Sequence, residues 1–313
     1  MIDRLIEKIE ELKNPSVVGL DPTIEMIPDV MREAAISEYG PTAQAVAEMF
    51  LRFNREIIDC IYDIVPAVKP QIAMYEKYGL HGVRAYLETT EYATSKGLLV
   101  IGDVKRGDIS STAEAYAGHL SGVEIDGVKY DLWNEDAITV NPYLGTDGIL
   151  PFTEAIKDLD KMIFVLVKTS NPSSSEIQDL LAVAAGSSSG ETDENADPIY
   201  VKVAKLTQMW GSELIGSYGF SKVGAVVGAT HPAVGQHLRA LFPQLFFLVP
   251  GYGAQGASAE DLRGFFDRHG RGCIVNSSRG IIAAWKKESI GFPVGDAARK
   301  AALQMQEELT KVL

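Results

Sequence analysis

The chain has 313 residues, a formal charge of −13 and a sequence pI near 4.9, a balance that excludes the basic face a nucleic-acid binder needs but leaves room for a small anion held by local Lys and Arg residues. Hydrophobic residues make up 46% of it, ample for a sizeable core, and the length fits one large domain or two ordinary ones. No apolar stretch approaches the ~20 residues that span a bilayer, and Met1–Lys8 alternates charged and apolar residues where a signal peptide is uncharged, so a soluble, cytoplasmic protein is expected.

Along the chain, short β-branched-rich runs stop at Gly, Pro or a polar residue and give way to segments of helical period. The runs are Ser16–Leu20, Ile64–Val68, Leu98–Gly102, Ala137–Val140, Met162–Val167, Val223–Val227, Leu245–Val249 and Cys273–Val275. Strands apolar at nearly every position are buried on both faces, which implies a parallel sheet covered by helices. Ala45, Met49, Phe50, Phe53, Ile57, Ile58 and Ile61 line one helix face; Ile199, Val203, Leu206, Trp210 and Leu214 line another, and Ala297, Ala301, Met305 and Leu309 a third. Eight strand–helix alternations predict a (β/α)8 TIM barrel, although a doubly wound open sheet fits the same alternation. Two segments read as insertions into a single domain spanning 1–313. Segment 121–136 contains Asp126-Gly127 and predicts a small hairpin before the fourth strand. Segment 186–197 is polar and acidic and reads as a mobile loop. Cys60 and Cys273 sit in apolar stretches and are expected to be buried thiols in a reducing compartment.

In such a barrel the C-terminal strand ends carry the chemistry. The residues at or just past those ends are Asp21, Lys69, Asp103 with Lys105, Asn141, Lys168 to Ser170, Thr230, Gln255 and Arg279. A cap or loop role would explain any one of them; together they point to a site. The strongest local signal is Asp103-Val104-Lys105-Arg106-Gly107-Asp108. Extended geometry puts Asp103 and Lys105 on one face, while Asp108 begins the loop. Carboxylates flanking Lys105 would keep it protonated, making it a proton donor and a poor Schiff-base nucleophile. Lys69, at the mouth of the neighbouring second strand, extends this to an alternating Lys–Asp–Lys–Asp array. An exposed ion pair and a rim lysine snorkelling to solvent fit the spacing too.

The run Gly251-Tyr252-Gly253-Ala254-Gln255-Gly256 matches Gly-x-Gly-x-x-Gly. It follows the seventh strand and not an opening βαβ unit, so a phosphate grip between the seventh and eighth loops, clamped by Arg279, fits better than a dinucleotide site. His81, His119, His231, His237 and His269 show no ligand spacing, and no metal is expected. A serine-hydrolase Gly-x-Ser-x-Gly elbow is missing too.

With these residues in hand, the chain resembles the orotidine 5′-phosphate decarboxylase family in its longer bacterial form. The likeness rests on Asp103-Val104-Lys105-Arg106-Gly107-Asp108-Ile109-Ser110-Ser111-Thr112-Ala113, with Val18-Gly19-Leu20-Asp21-Pro22, Ala67-Val68-Lys69-Pro70, Pro250–Gly256 and Asn276-Ser277-Ser278-Arg279-Gly280 in family order. The resemblance implies decarboxylation of orotidine 5′-phosphate to UMP without cofactor. Lys69, Asp103, Lys105 and Asp108 would form the charge array, and Lys105 would protonate C6. It further implies that Asp21 and Lys69 hold ribose hydroxyls, Ser170 the pyrimidine, and Gln255 and Arg279 the phosphate, with the loop through Gly253 closing as a lid. Asn141 joins the substrate-binding candidates. Asp108 and Thr112 would reach the neighbouring subunit's site, which makes a homodimer the functional unit. The rival readings are a metal-dependent phosphosugar lyase or decarboxylase of the same suprafamily, a Schiff-base aldolase, and a non-catalytic nucleotide-binding barrel.

Overall fold

The computed structural model describes residues 1–182, 196–253 and 256–313. The eight apolar runs become eight parallel strands: β1 (Ser16–Leu20), β2 (Ala67–Pro70), β3 (Leu99–Arg106), β4 (Ala137–Val140), β5 (Met162–Lys168), β6 (Val223–Val227), β7 (Phe247–Pro250) and β8 (Cys273–Ser277). They pair in the order β1-β8-β7-β6-β5-β4-β3-β2 and close on themselves, so the fold is the (β/α)8 barrel and the open-sheet alternative falls.

Alternation along each strand separates two apolar layers. Val18, Val68, Val100, Ile138, Val165, Ala225, Phe247 and Val275 face the helices, where helix Ala43–Ile61 buries its whole predicted stripe. Val17, Ala67, Ile101, Ala137, Phe164, Val226, Leu248 and Ile274 fill the lumen. Helix Ile2–Leu12 closes the N-terminal mouth by adding Met1, Ile2, Leu5 and Ile6 to that lumen cluster. The lumen phase continues two residues further up several strands, from Val17 to Gly19, Ala67 to Lys69, Ile101 to Asp103, Ala137 to Thr139 and Ile274 to Asn276. The apolar plug is therefore the floor on which the polar layer stands.

Several boundaries differ from expectation. β2 starts after Pro66, so Lys69 lies within the strand and not at its mouth. β3 runs past Gly102 to Arg106, because its charged end stays in the ladder through a bulge against β4. β7 begins at Phe247, since the Leu245 amide closes a turn on Phe242. The helix expected to reach Leu214 stops at Trp210, and its fully buried positions are Val201, Ala204 and Thr207. Cys60 is only half-buried; Cys273 is buried, and both are free. Within 121–136, Val123–Ile125 pairs antiparallel with Val128–Tyr130 around Asp126-Gly127, both at positive φ, as the expected hairpin requires. Most of segment 186–197 and Gln255 lie outside the described residues. No helix among the described residues is long and apolar enough to cross a membrane.

At the N-terminal end of β7 and β8 a buried cation gathers backbone carbonyls beside the sheet ladder. Arg239 donates from Nε to the Phe265 carbonyl (2.9 Å), from Nη1 to Pro243 (3.2 Å) and Leu245 (2.7 Å), and from Nη2 to Gly272 (2.6 Å). Its guanidinium lies 4.0 Å from the Phe247 ring centroid. Burial pushes its pKa down to about 10, and the group remains a cation at neutral pH. Arg239→Met removes the donor from the Phe265, Pro243 and Leu245 carbonyls, while Gly272 keeps the Phe247 amide, and should cost about 3 kcal/mol. The expected result is a lower urea midpoint at unchanged slope; a midpoint within error of the parent would contradict it.

Candidate active site

At the C-terminal end of the barrel a cavity of about 780 Å³ opens above the apolar floor, a size suited to a small-molecule ligand. Asp21, Lys69, Asp103, Lys105, Ser170 and Arg279 all line it, each delivered by a different strand end except Asp103 and Lys105, which share β3. At its centre is Asp103. Its Oδ2 accepts from Lys69 Nζ at 2.7 Å, and its Oδ1 accepts from Lys105 Nζ and from Thr139 Oγ1 at 3.0 Å. Asp103 and Lys69 are buried, whereas the Lys105 side chain is 45% exposed at the cavity edge.

Burial alone would raise the Asp103 pKa, but the Lys69 and Lys105 ammonium groups outweigh it and hold the carboxyl well below the usual range. Lys69 shows the mirror image. Burial disfavours its charge, and Asp103 and Asp21 more than offset this, leaving its pKa above the ordinary value. One buried anion thus anchors both ammonium groups, and the Lys69–Asp103 pair stays ionised at neutral pH.

Two acceptors in the cavity have no hydrogen-bond partner among the described residues, Asp21 Oδ1 and Asn276 Oδ1. Buried acceptors of this kind are normally satisfied, so both oxygens can take hydrogen bonds from donors that enter the cavity. The loop after β5 forms one wall. Lys168 is buried against Asp179 (2.6 Å), and Gln178 holds Thr169 at both ends of its amide, accepting from the Thr169 N–H at 3.0 Å and donating to its hydroxyl at 2.8 Å. His231 Nε2 lies 3.2 Å from the Thr169 carbonyl; burial and the nearby Lys168 lower its pKa, so it sits there as a neutral donor. A Cβ at Gly228 would stand 2.8 to 2.9 Å from Ser170 atoms, so only glycine lets this wall close on β6.

Residues 17–290 match the model of the orotidine 5′-phosphate decarboxylase / HUMPS family. The chain belongs to that family. An orotidine 5′-phosphate decarboxylase of Caldicellulosiruptor bescii is 41% identical over 285 residues, covering 91% of this chain and 90% of the relative. One from Petrotoga mobilis is 40% identical over 311 residues, covering 99% and 98%. Among solved structures, a putative orotidine-monophosphate decarboxylase from Toxoplasma gondii superposes with a TM-score of 0.76 at 29% identity, covering 99% of this chain and 96% of that one.

Within this decarboxylase-family barrel the other expected site residues among those described lie outside the cavity lining. Asp108 is half-buried, its Oδ1 accepting from the Ile109 amide at 2.8 Å, and Thr112 is exposed on helix Ser110–Ser121. Asn141 is exposed beyond the end of β4, where its side chain accepts from the Tyr143 amide. Gly253 is exposed just past the lining residues Gly251 and Tyr252, and Gln255 is outside the described residues. The sequence reading missed Thr139, Gln178 and Asn171. Thr139 had a signal, since it shares the lumen phase with Ala137; Gln178 ends the one-turn helix Ser175–Gln178 and Asn171 precedes the 3-10 turn Pro172–Ser174, segments too short to show a period.

The central pairing carries a stability consequence. Asp103→Asn leaves Lys69 buried beside a neutral amide and should cost about 3 kcal/mol at pH 7. Because the folded pKa of Asp103 is depressed, the parent's advantage is fully present above the unfolded carboxylate pKa of about 3.9. It is lost as pH falls below that value towards the folded one. Urea unfolding of both proteins between pH 3 and 7 checks this; an equal gap at both ends would contradict the assignment.

Proposed function

We propose that the chain decarboxylates orotidine 5′-phosphate to UMP and carbon dioxide without metal or organic cofactor. The observation that carries this is the Lys69–Asp103–Lys105 ion chain at one part of a cavity that also holds the exposed Arg279. The C6–carboxyl bond breaks, its electron pair stays on C6, and Lys105 Nζ donates the proton that yields UMP; water then reprotonates the amine. Nothing in the substrate delocalises that electron pair, so fixed charge must stabilise it, and an ammonium already oriented by Asp103 needs no reorganisation to do so. Asp21 and Lys69 hold ribose hydroxyls, Ser170 meets the pyrimidine, and Arg279 with Gln255 takes the phosphate. Asn141 and Gly253 would approach the substrate only through movement of their loops. Phosphate binding remote from C6 can drive that closure.

Asp108 completes the array from a second copy of the chain, with Thr112 beside it. This is supported by the surface around it: Ile109, Tyr143, Leu144 and Leu150 expose apolar side chains, and Gly148 packs against the Asp108 carbonyl and Leu144. Exposed apolar side chains of this kind suit subunit contact.

Loss of orotidine 5′-phosphate absorbance, measured with and without a chelator, tests the reaction. Equal turnover in both arms is expected, and turnover abolished by chelation would favour the metal-dependent lyase. Lys105→Ala should remove turnover by several orders of magnitude while UMP still binds; near-parental turnover would overturn the proton-donor role. For the shared site, mixing Asp108→Ala and Lys105→Ala chains should recover activity in heterodimers, each having one intact site. No recovery after demonstrated subunit exchange would mean that Asp108 serves its own subunit.

A further inference from the structure

β3 and β4 fall out of step beside the charged cluster. Gly102 pairs with Ile138 and Arg106 with Val140, so three residues of β3, Asp103 to Arg106's predecessor Lys105, face the single β4 residue Thr139. Such a bulge re-aims side chains and leaves backbone groups without ladder partners. Lys105 sits in the left-handed region at φ 46°, a conformation that a non-glycine residue holds only when its surroundings enforce it.

Thr139 meets both needs with one hydroxyl. Its Oγ1 accepts from the Lys105 backbone N–H at 2.9 Å and lies 3.0 Å from Asp103 Oδ1. The direction of both bonds is forced: an amide N–H can only donate and an ionised carboxylate can only accept. The single hydroxyl proton therefore points at Asp103, and the lone pair at Lys105. Thr139 is itself 1% exposed and sits on β4 between Ile138 and Val140, so its own position is set by the sheet. Oδ1 of Asp103 is the same oxygen that receives Lys105 Nζ. Backbone and side chain of the proton donor are thereby both referenced to one buried hydroxyl.

We propose that Thr139 is a positioning residue for decarboxylation: its hydroxyl holds the strained Lys105 backbone and the Asp103 carboxylate in the arrangement that aims the Lys105 ammonium into the cavity. It has no role in gripping the substrate, and it acts through Lys105 and Asp103. The inference rests on the decarboxylase reading and deepens it.

Two variant pairs isolate the hydroxyl, Thr against Val and Ser against Ala at position 139, so that one pair suffices if a member of the other does not fold. Steady-state kinetics with orotidine 5′-phosphate and thermal unfolding are measured for all four proteins. Thr139→Val should lower kcat about tenfold to a hundredfold, the scale of small misplacements of a catalytic group. KM should stay within about threefold, because uniform binding is untouched. Thr139→Ser should recover most of the kcat lost in Thr139→Ala. Equal kcat within either folded pair overturns the proposal, as does a loss that appears in KM alone or that tracks the melting temperature. A parent protein without turnover on this substrate would sink the decarboxylase reading itself and the proposal with it.

Discussion

A single buried carboxylate organises the site. Asp103 is the only acid directly bonded to Lys69 and Lys105 among the described residues, and each of its oxygens faces one ammonium. Removing the Asp103 anion and the Lys69 cation from water is costly, and such a pair persists only when geometry and hydrogen bonding are nearly ideal. The barrel meets that demand by drawing the three groups from adjacent parallel strands, with Gly19 of β1 level with Lys69 of β2, β3 beside β2 and Thr139 supplied by β4. Fixed charge in a closed lumen is what a cofactor-free decarboxylation needs, because the stabilising dipoles are already in place before the bond breaks.

The two ends of the barrel divide the work. The N-terminal end is apolar and over-determined: helix Ile2–Leu12 seals the lumen, and Arg239 ties together carbonyls from the segments entering β7 and β8. Among the described residues, the C-terminal end leaves acceptors unpaired and holds Lys105 in a strained conformation. Stability from the floor offsets the strain and desolvation tolerated at the rim.

How much of this is legible in the sequence follows from the same division. The eight strands show as apolar runs because both of their faces are buried, and the cluster of Lys69, Asp103 and Lys105 shows because charge at the ends of such runs is conspicuous. The extension of β3 to Arg106 is hidden, since charged residues do not look like a central strand and the bulge that keeps them in the ladder depends on β4. Period two places Asp103 and Lys105 on one face, and they do converge, but through the backbone turn at Lys105 and not by straight alternation. Thr139 was discoverable from the inward phase of β4, which Asn141 obscured by lying just beyond the strand end. Gln178 and Asn171 were not, because single-turn helical segments are too short to carry a periodic signal. Asp108 has a motif but lies outside the cavity lining of its own chain.

The most direct test of this arrangement is a crystal structure of the protein with UMP bound. The ammonium of Lys105, still bonded to Asp103, should lie about 3 to 3.5 Å from C6, the distance of a poised proton transfer, with the phosphate against Arg279. A nucleotide bound in the reverse sense, its phosphate on Lys69 and Lys105 and its base towards Arg279, would contradict the account.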